Sequence, residues 1–235
     1  MIVYGRNAVR EALAGRREVR RIWASERAAR EPWLGGREVA RVSSAAELER
    51  LCGSGGHQGI CAEAAAYPYA DADELLAARE PLIIALDEVQ DPQNLGAICR
   101  SAEAAGATGV VLPRHRAAEV TPAVCKASAG AVEHLPVARV RNLADFLADA
   151  RKAGCWCYGA AAGARVRYDE PDYGGGVVCV FGSEGRGLRP RVAAACDELV
   201  GVPMRGRIAS LNVGAAVAVV AYEILQRRGG VDRSS

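Results

Sequence analysis

The apolar positions of the chain follow two patterns. From residue 81 onward, short apolar runs recur at 82–87, 109–112, 135–139, 155–160, 177–181 and 199–202. Runs of this length, bounded by Gly, Pro and polar residues, read as strands covered on both faces. Between them, 94–105, 121–129, 142–153 and 212–228 carry helical spacing. The alternation predicts an α/β domain built on a mainly parallel sheet. Residues 1–70 read as a smaller α/β unit. A helix capped by Asn7 runs to Ala14 and stops at Gly15, and a strand covers 19–24. Ser44-Ala45-Ala46-Glu47 forms a capping box that opens a helix to about Cys52. Gly53-Ser54-Gly55-Gly56 is a loop before a strand over 59–66. The acidic stretch 71–80, ending at Pro81, reads as a linker or bridging helix, and 229–235 as a loose tail.

Length and composition sharpen this picture. With 235 residues there is room for one or two domains with their own cores. Half the residues are hydrophobic and a quarter charged, which excludes bulk disorder. No apolar run approaches the ~20 residues of a membrane span, and no apolar signal core follows Met1. The expectation is a cytoplasmic protein without membrane attachment. Net charge is only +2, and of 30 basic residues only Lys126 and Lys152 are lysine. A GC-rich coding bias accounts for that as readily as function does. Residues 1–70 hold 11 basic and 8 acidic groups, and 71–80 hold 1 and 4. The basic excess, with Arg16, Arg17, Arg20 and Arg21 in one run, points to a polyanion at the N-terminal unit. Trp23 and Trp33 read as core residues or base-stacking platforms, and His57 as a polar loop residue. The eight cysteines stand singly among apolar residues and read as buried free thiols. The Cys155 and Cys157 side chains are expected on opposite faces of their strand. There is no C-x-x-C and there are only three histidines, so no metal site is expected.

Three polar segments follow apolar strands, where open α/β sheets bind ligands. The first runs from Asp87 through Asp91-Pro92-Gln93-Asn94-Leu95-Gly96-Ala97-Ile98-Cys99-Arg100-Ser101-Ala102. Asn94 is expected to start a helix, with Arg100 less than two turns in and able to reach back. Asn94 either caps or binds, and Arg100 is either functional or a solvated charge. The second is Gly182-Ser183-Glu184-Gly185-Arg186-Gly187. Its spacing matches neither a dinucleotide fingerprint, a phosphate loop nor a nucleophile elbow. It is either a ligand-approaching loop or a glycine turn with an exposed Glu184. The third holds Ser210 and Asn212 where the last helix begins, placed to cap it or to face a ligand.

In this order, D-P-Q-N-L-G-A-I-C-R-S-A, G-S-E-G-R-G and S-L-N resemble the three motifs of the SpoU/TrmH family of RNA ribose 2′-O-methyltransferases, within the SPOUT superfamily. The resemblance spans about 81–228, and K-A-S-A-G-A at 126–131 adds to it. V-Y-G-R-N-A-V at 3–9 and H-Q-G-I at 57–60 resemble the ribosomal-protein-like RNA-binding domain of some members. That layout is similar to members acting on guanosine in large-subunit (23S) rRNA. Gly214 departs from the serine many relatives carry. The resemblance implies an RNA substrate-binding domain at 1–70, a linker at 71–80 and a methyltransferase domain at 81–228 with a deep trefoil knot. It implies a homodimer, RNA bound near the subunit interface, and S-adenosylmethionine held by backbone at Gly182, Val202 and Leu211. Arg100 would act at methyl transfer. Asn94 would orient Arg100 or the ribose, and Glu184 would position Arg100 or bind RNA. Ser210 and Asn212 would complete the substrate side. A guanidinium normally only donates. Arg100 is therefore either deprotonated by its surroundings or holds an RNA phosphate near the developing alkoxide. The rival readings are a catalytically silent RNA-binding protein and a nucleotide-dependent oxidoreductase. Among methyltransferase substrates, tRNA and antibiotic-target rRNA stay open.

Overall fold

The computed structural model describes residues 1–229, and most of the expected tail, 230–235, lies outside the described residues. The N-terminal unit holds β1 (Ile2–Tyr4), α1 (Arg6–Ala14), β2 (Val19–Ala24), β3 (Ala40–Arg41), α2 (Ala45–Cys52) and β4 (Ile60–Ala64). Its strands form one mixed sheet in the order β1-β4-β2-β3. Asn7 does not cap α1: Gly5 holds that position, and no side chain caps it. Ser44 caps α2 as expected by accepting from Glu47 N–H at 3.3 Å. The return bond of the box goes to Ser43 N–H, also at 3.3 Å.

The acidic stretch contains α3 (Ala72–Leu76), whose Leu75 and Leu76 pack on the second sheet. Beyond it come β5 (Leu82–Asp87), α4 (Pro92–Ala104), β6 (Gly109–Pro113), α5 (Pro122–Ala127), β7 (Val137–Val140) and α6 (Leu143–Lys152). The chain continues through β8 (Cys155–Ala160), β9 (Val166–Arg167), β10 (Gly176–Gly182), α7 (Pro190–Ala193), β11 (Glu198–Gly201) and α8 (Val213–Arg227). The seven strands are all parallel, in the order β7-β6-β5-β10-β8-β11-β9. Both faces are buried, which is why the strands read as unbroken apolar runs. Leu82, Ile84 and Leu86 of β5 join the core cluster shared with the N-terminal unit, while Ile83 and Ala85 face the opposite one. Cys155 and Cys157 lie on one face, in one cluster, with Trp156 exposed between them. Alternation along a strand puts residues i and i+2 on the same side, which corrects the expected split. All eight cysteines are free, and burial pushes the Cys99 and Cys179 thiols up to about 12.

The strand order places the carboxyl ends of β5 and β10 side by side, with Gly182 in register with Asp87. The helix α8 then packs along α4. Three segments far apart in sequence thereby converge at one end of the sheet.

In the N-terminal unit the basic run divides. Arg16, Arg20 and Arg21 are exposed, whereas Arg17 is buried. Its Nε donates to Glu133 at 2.9 Å, its Nη2 meets the other Glu133 oxygen, and its Nη1 donates to Ala65 O at 3.2 Å. Arg17 is thus a tie between the two units and is not available to phosphate. His57 is buried and accepts from Gly59 N–H at 3.0 Å. Trp23 and Trp33 pack against core clusters. The G-R-N-A-V and H-Q-G stretches meet where Gln58 Oε1 accepts from Arg6 N–H at 3.0 Å. Gly5 there faces the Lys126 side chain of α5, so part of this patterning serves docking of the two units.

Candidate active site

Asp91 opens α4. Its carboxylate accepts from Gln93 N–H at 3.2 Å and Asn94 N–H at 3.1 Å, and Pro92 takes the first helical position. This capping role falls to Asp91 and not Asn94, because Pro at the first helical position marks the residue before it as the cap. The Asn94 side chain is therefore released to the site. Asn212 caps α8 through Oδ1, which accepts from Gly214 N–H at 2.9 Å and Ala215 N–H at 3.3 Å. Its Nδ2 points the other way and donates to Asn94 Oδ1 at 2.8 Å and Glu184 Oε1 at 2.5 Å. Asn94 Nδ2 donates to the same Glu184 oxygen at 3.2 Å, and Val213 N–H approaches it at 3.4 Å. One residue from each segment thus meets in a single cluster. A carboxylate at the N-terminus of α8 also lies at the favourable end of the helix dipole.

The glycine loop delivers Glu184. A Cβ on Gly182 would stand 2.0 Å from the Gly187 carbonyl carbon, so only glycine lets the loop fold back over β10. Gly187 N–H closes it on Ser183 O at 2.9 Å. Two clefts flank the loop. One, of about 520 Å³, is lined by Phe181, Gly182, Val200, Val202, Ser210 and Leu211 among others. The other, of about 350 Å³, is lined by Glu88–Asp91 and Asn94. Ser183, Glu184, Arg186 and Val213 belong to both. Glu184 therefore stands on the partition between two pockets, each within the size range of small-molecule sites. Arg186, which lines both, was not singled out from sequence, although it sits inside the glycine motif.

Of the eight residues named from sequence, Asn94, Glu184 and Asn212 are bonded together. Gly182, Val202, Ser210 and Leu211 line the larger cleft. Arg100 stands apart: it is exposed, and its side chain makes no hydrogen bond or ion pair among the described residues. The helix begins at Pro92, two residues before the expected start, so Arg100 lies more than two turns in. At about 100° per residue it projects roughly 120° away from Asn94 around the helix. Neither Asn94 nor Glu184 is hydrogen-bonded to it. Among the described residues no group of three or more His, Cys, Asp or Glu is placed to hold a metal ion. No helix among them is long and apolar enough to cross a membrane.

Comparison with known proteins gives the site its context. Residues 81–222 match the SpoU rRNA Methylase family, and residues 2–70 match the RNA 2′-O ribose methyltransferase substrate binding family. A Bacillus subtilis (strain 168) protein named for the TrmH family of tRNA/rRNA methyltransferases, YacO, is 39% identical over 241 residues, covering 97% of this chain and 96% of its own. The SpoU methyltransferase AviRb from Streptomyces viridochromogenes, crystallised with the cofactor AdoMet, superposes with a TM-score of 0.82 at 26% identity. That match covers 98% of this chain and 91% of AviRb. An AdoMet-bound rRNA methyltransferase from Sinorhizobium meliloti superposes with a TM-score of 0.80 at 26% identity, over 96% of this chain and 86% of that one. With Asn94, Glu184 and Asn212 of the three motifs gathered around one partition and both of its units matched, the chain belongs to the SpoU/TrmH family and is an S-adenosylmethionine-dependent RNA methyltransferase.

Proposed function

We propose that the protein methylates a ribose 2′-oxygen in RNA, with a guanosine of large-subunit (23S) rRNA as the target. The observation that carries the chemistry is the Asn94–Glu184–Asn212 cluster on the wall shared by two clefts. A donor in one cleft and an acceptor in the other would meet at that wall. Support for ribosomal RNA comes from full-length likeness, N-terminal unit included, to the Sinorhizobium rRNA methyltransferase. In this reading 1–70 selects the RNA, 71–80 joins the units, and 81–228 is the knotted methyltransferase domain.

The larger cleft suits the cofactor. Phe181, Val200, Val202 and Leu211 give it apolar walls for an adenine ring, and Ser183, Glu184 and Ser210 supply polar groups. Gly182, Val202 and Leu211 would hold the cofactor mainly through backbone. When bound, S-adenosylmethionine supplies an activated methyl group on a sulfonium. The protein's part is alignment, since an in-line displacement gains most from fixed geometry. Glu184 uses one carboxylate oxygen to hold Asn94 and Asn212, which leaves the other to take the proton the ribose hydroxyl gives up as its oxygen gains the methyl group. The two asparagines lock that carboxylate in place, and Ser210 lines the same cleft. Arg100, exposed and outside the cluster, binds an RNA phosphate in this reading, which needs no deprotonated guanidinium. A second copy of the chain would cover the exposed Ile208 together with Met204 and Leu211 on the cleft wall, making a homodimer. The reaction belongs to the cytoplasm, where rRNA is exposed to modification.

The test is methyl transfer from labelled S-adenosylmethionine to unmodified ribosomal and transfer RNA, comparing wild type with Arg100→Ala. Label on one ribose 2′-oxygen of large-subunit rRNA, lost in the variant, is the expected result. Label on tRNA alone would move the substrate. No transfer to any RNA by folded, cofactor-binding protein would overturn the activity proposed.

A further inference from the structure

We infer that Asp87 and Arg189 form a positioning pair that anchors the 182–188 loop, and with it the larger cleft and Glu184, to the end of β5. The inference rests on reading that cleft as the cofactor site.

Asp87 is the last residue of β5 and is fully buried. A buried carboxylate is costly unless its oxygens are paired. Here Oδ2 accepts from the backbone N–H of Arg189 at 2.8 Å. Oδ1 accepts from Arg189 Nε at 2.8 Å and faces Nη2 at 2.7 Å. One carboxylate thus grips both the backbone and the guanidinium fork of a residue 102 positions away. Such charge-assisted bonds are short and directional.

The location gives the pair its purpose. Gly182, where the loop begins, is in register with Asp87 on the adjacent strand. Arg189, where the loop ends, is tied to the same residue. Both ends of the loop are therefore fixed at one residue, Gly182 through the strand pairing and Arg189 through the buried carboxylate. Between them Glu184, Gly185, Arg186 and Gly187 are exposed, and Glu184 keeps its bonds to Asn94 and Asn212 only where the loop holds it. Arg189 also faces Glu88, at 3.6 Å, which lines the neighbouring cleft. The guanidinium itself lines neither cleft, and it holds Glu88, on the wall of the smaller one, beside Asp87.

Arg189→Ala tests this directly. It keeps the backbone bond to Asp87 and removes only the fork, from a side chain that is 44% exposed. Arg189→Lys restores the charge without the fork. Binding of S-adenosylhomocysteine is measured by calorimetry, turnover with labelled donor, and folding by thermal unfolding, with Val202→Arg as a cleft-blocking control. Arg189→Ala should fold, bind about tenfold more weakly and turn over about tenfold to a hundredfold more slowly, with partial recovery in Arg189→Lys. Binding and turnover within about twofold of wild type overturn the pair's role, as does a lowered Tm with normal affinity in the folded protein. Val202→Arg should abolish binding. If it binds normally, the cleft reading fails and the anchor falls with it. If Val202→Arg is blocked and Arg189→Ala is silent, the anchor alone fails.

Discussion

Glu184 is the one charged member of the bonded cluster, and a single one of its oxygens takes the bonds from Asn94, Asn212 and Val213. Glu184→Ala removes the acceptor for both asparagines as well as the oxygen proposed for the ribose hydroxyl. It should slow single-turnover methyl transfer by about 10²–10⁴-fold, the span of a positioned acid–base group. Glu184→Gln keeps an acceptor for Asn212 and should bind cofactor normally while remaining slow. A fast Glu184→Gln enzyme would mean the charge is dispensable and the residue only orients its neighbours. The cluster was half legible from sequence. Asn94 and Asn212 each had two readings, capping or binding, and a carboxamide has two ends. Asn212 caps with Oδ1 while its Nδ2 bonds Asn94 and Glu184. Asn94 does not cap, because Asp91 before Pro92 takes that role, and its side chain bonds Glu184 and Asn212 instead. The depth of Arg100 shifts for the same reason: moving a helix start by two residues changes how deep every later side chain lies.

At the scale of elements, the long buried strands were legible because burial on both faces leaves an unbroken apolar run in the sequence. The two-residue strands β3 and β9 and the four-residue α7 were not, since so few residues carry no period. Strand order was also hidden. The insertion of β10 between β5 and β8 is made by contacts remote in sequence, and it alone brings the glycine loop beside α4. The packing of α4 on α5 depends on Gly96 in the first motif. A Cβ there would lie 2.4 Å from Ala127 Cβ and 2.9 Å from Ser128 N. Alanine favours helices by about 1 kcal/mol over glycine. The clash with backbone should outweigh that gain, because inserting a methyl into a tight core costs about 1–3 kcal/mol. Gly96→Ala should therefore lower the urea midpoint without changing the slope. A raised midpoint would show that α5 can move aside.

Across the whole molecule, the two units share one core cluster and a buried ion pair. Arg17 and Glu133 expose 2% and 1% of their side chains, and Arg17 also lies 5.7 Å from the centroid of the Tyr67 ring. A second tie, Glu11 Oε2 to His134 Nε2 at 2.9 Å, runs alongside it at the surface. From sequence, Arg17 looked like its exposed neighbours in the basic run, because its partner lies 116 residues away. Its burial changes what its loss should do. Arg17→Ala leaves Glu133 buried without a counter-charge and should destabilise the protein by about 3–5 kcal/mol. Replacing both partners, as Arg17→Met with Glu133→Leu, should recover most of that, since paired desolvation is itself expensive. Urea unfolding followed separately through Trp23 or Trp33 and Trp156 would report the two units. One shared transition that moves as a whole in Arg17→Ala is the expected result. An early N-terminal transition in wild type would show instead that the units fold independently. RNA affinity adds the complementary reading: Arg16→Ala and Arg21→Ala should weaken it at unchanged stability, whereas folded Arg17→Ala should bind RNA as wild type does. A folded Arg17→Ala protein with a selective loss of RNA binding would put phosphate contact, rather than the tie between units, at that residue.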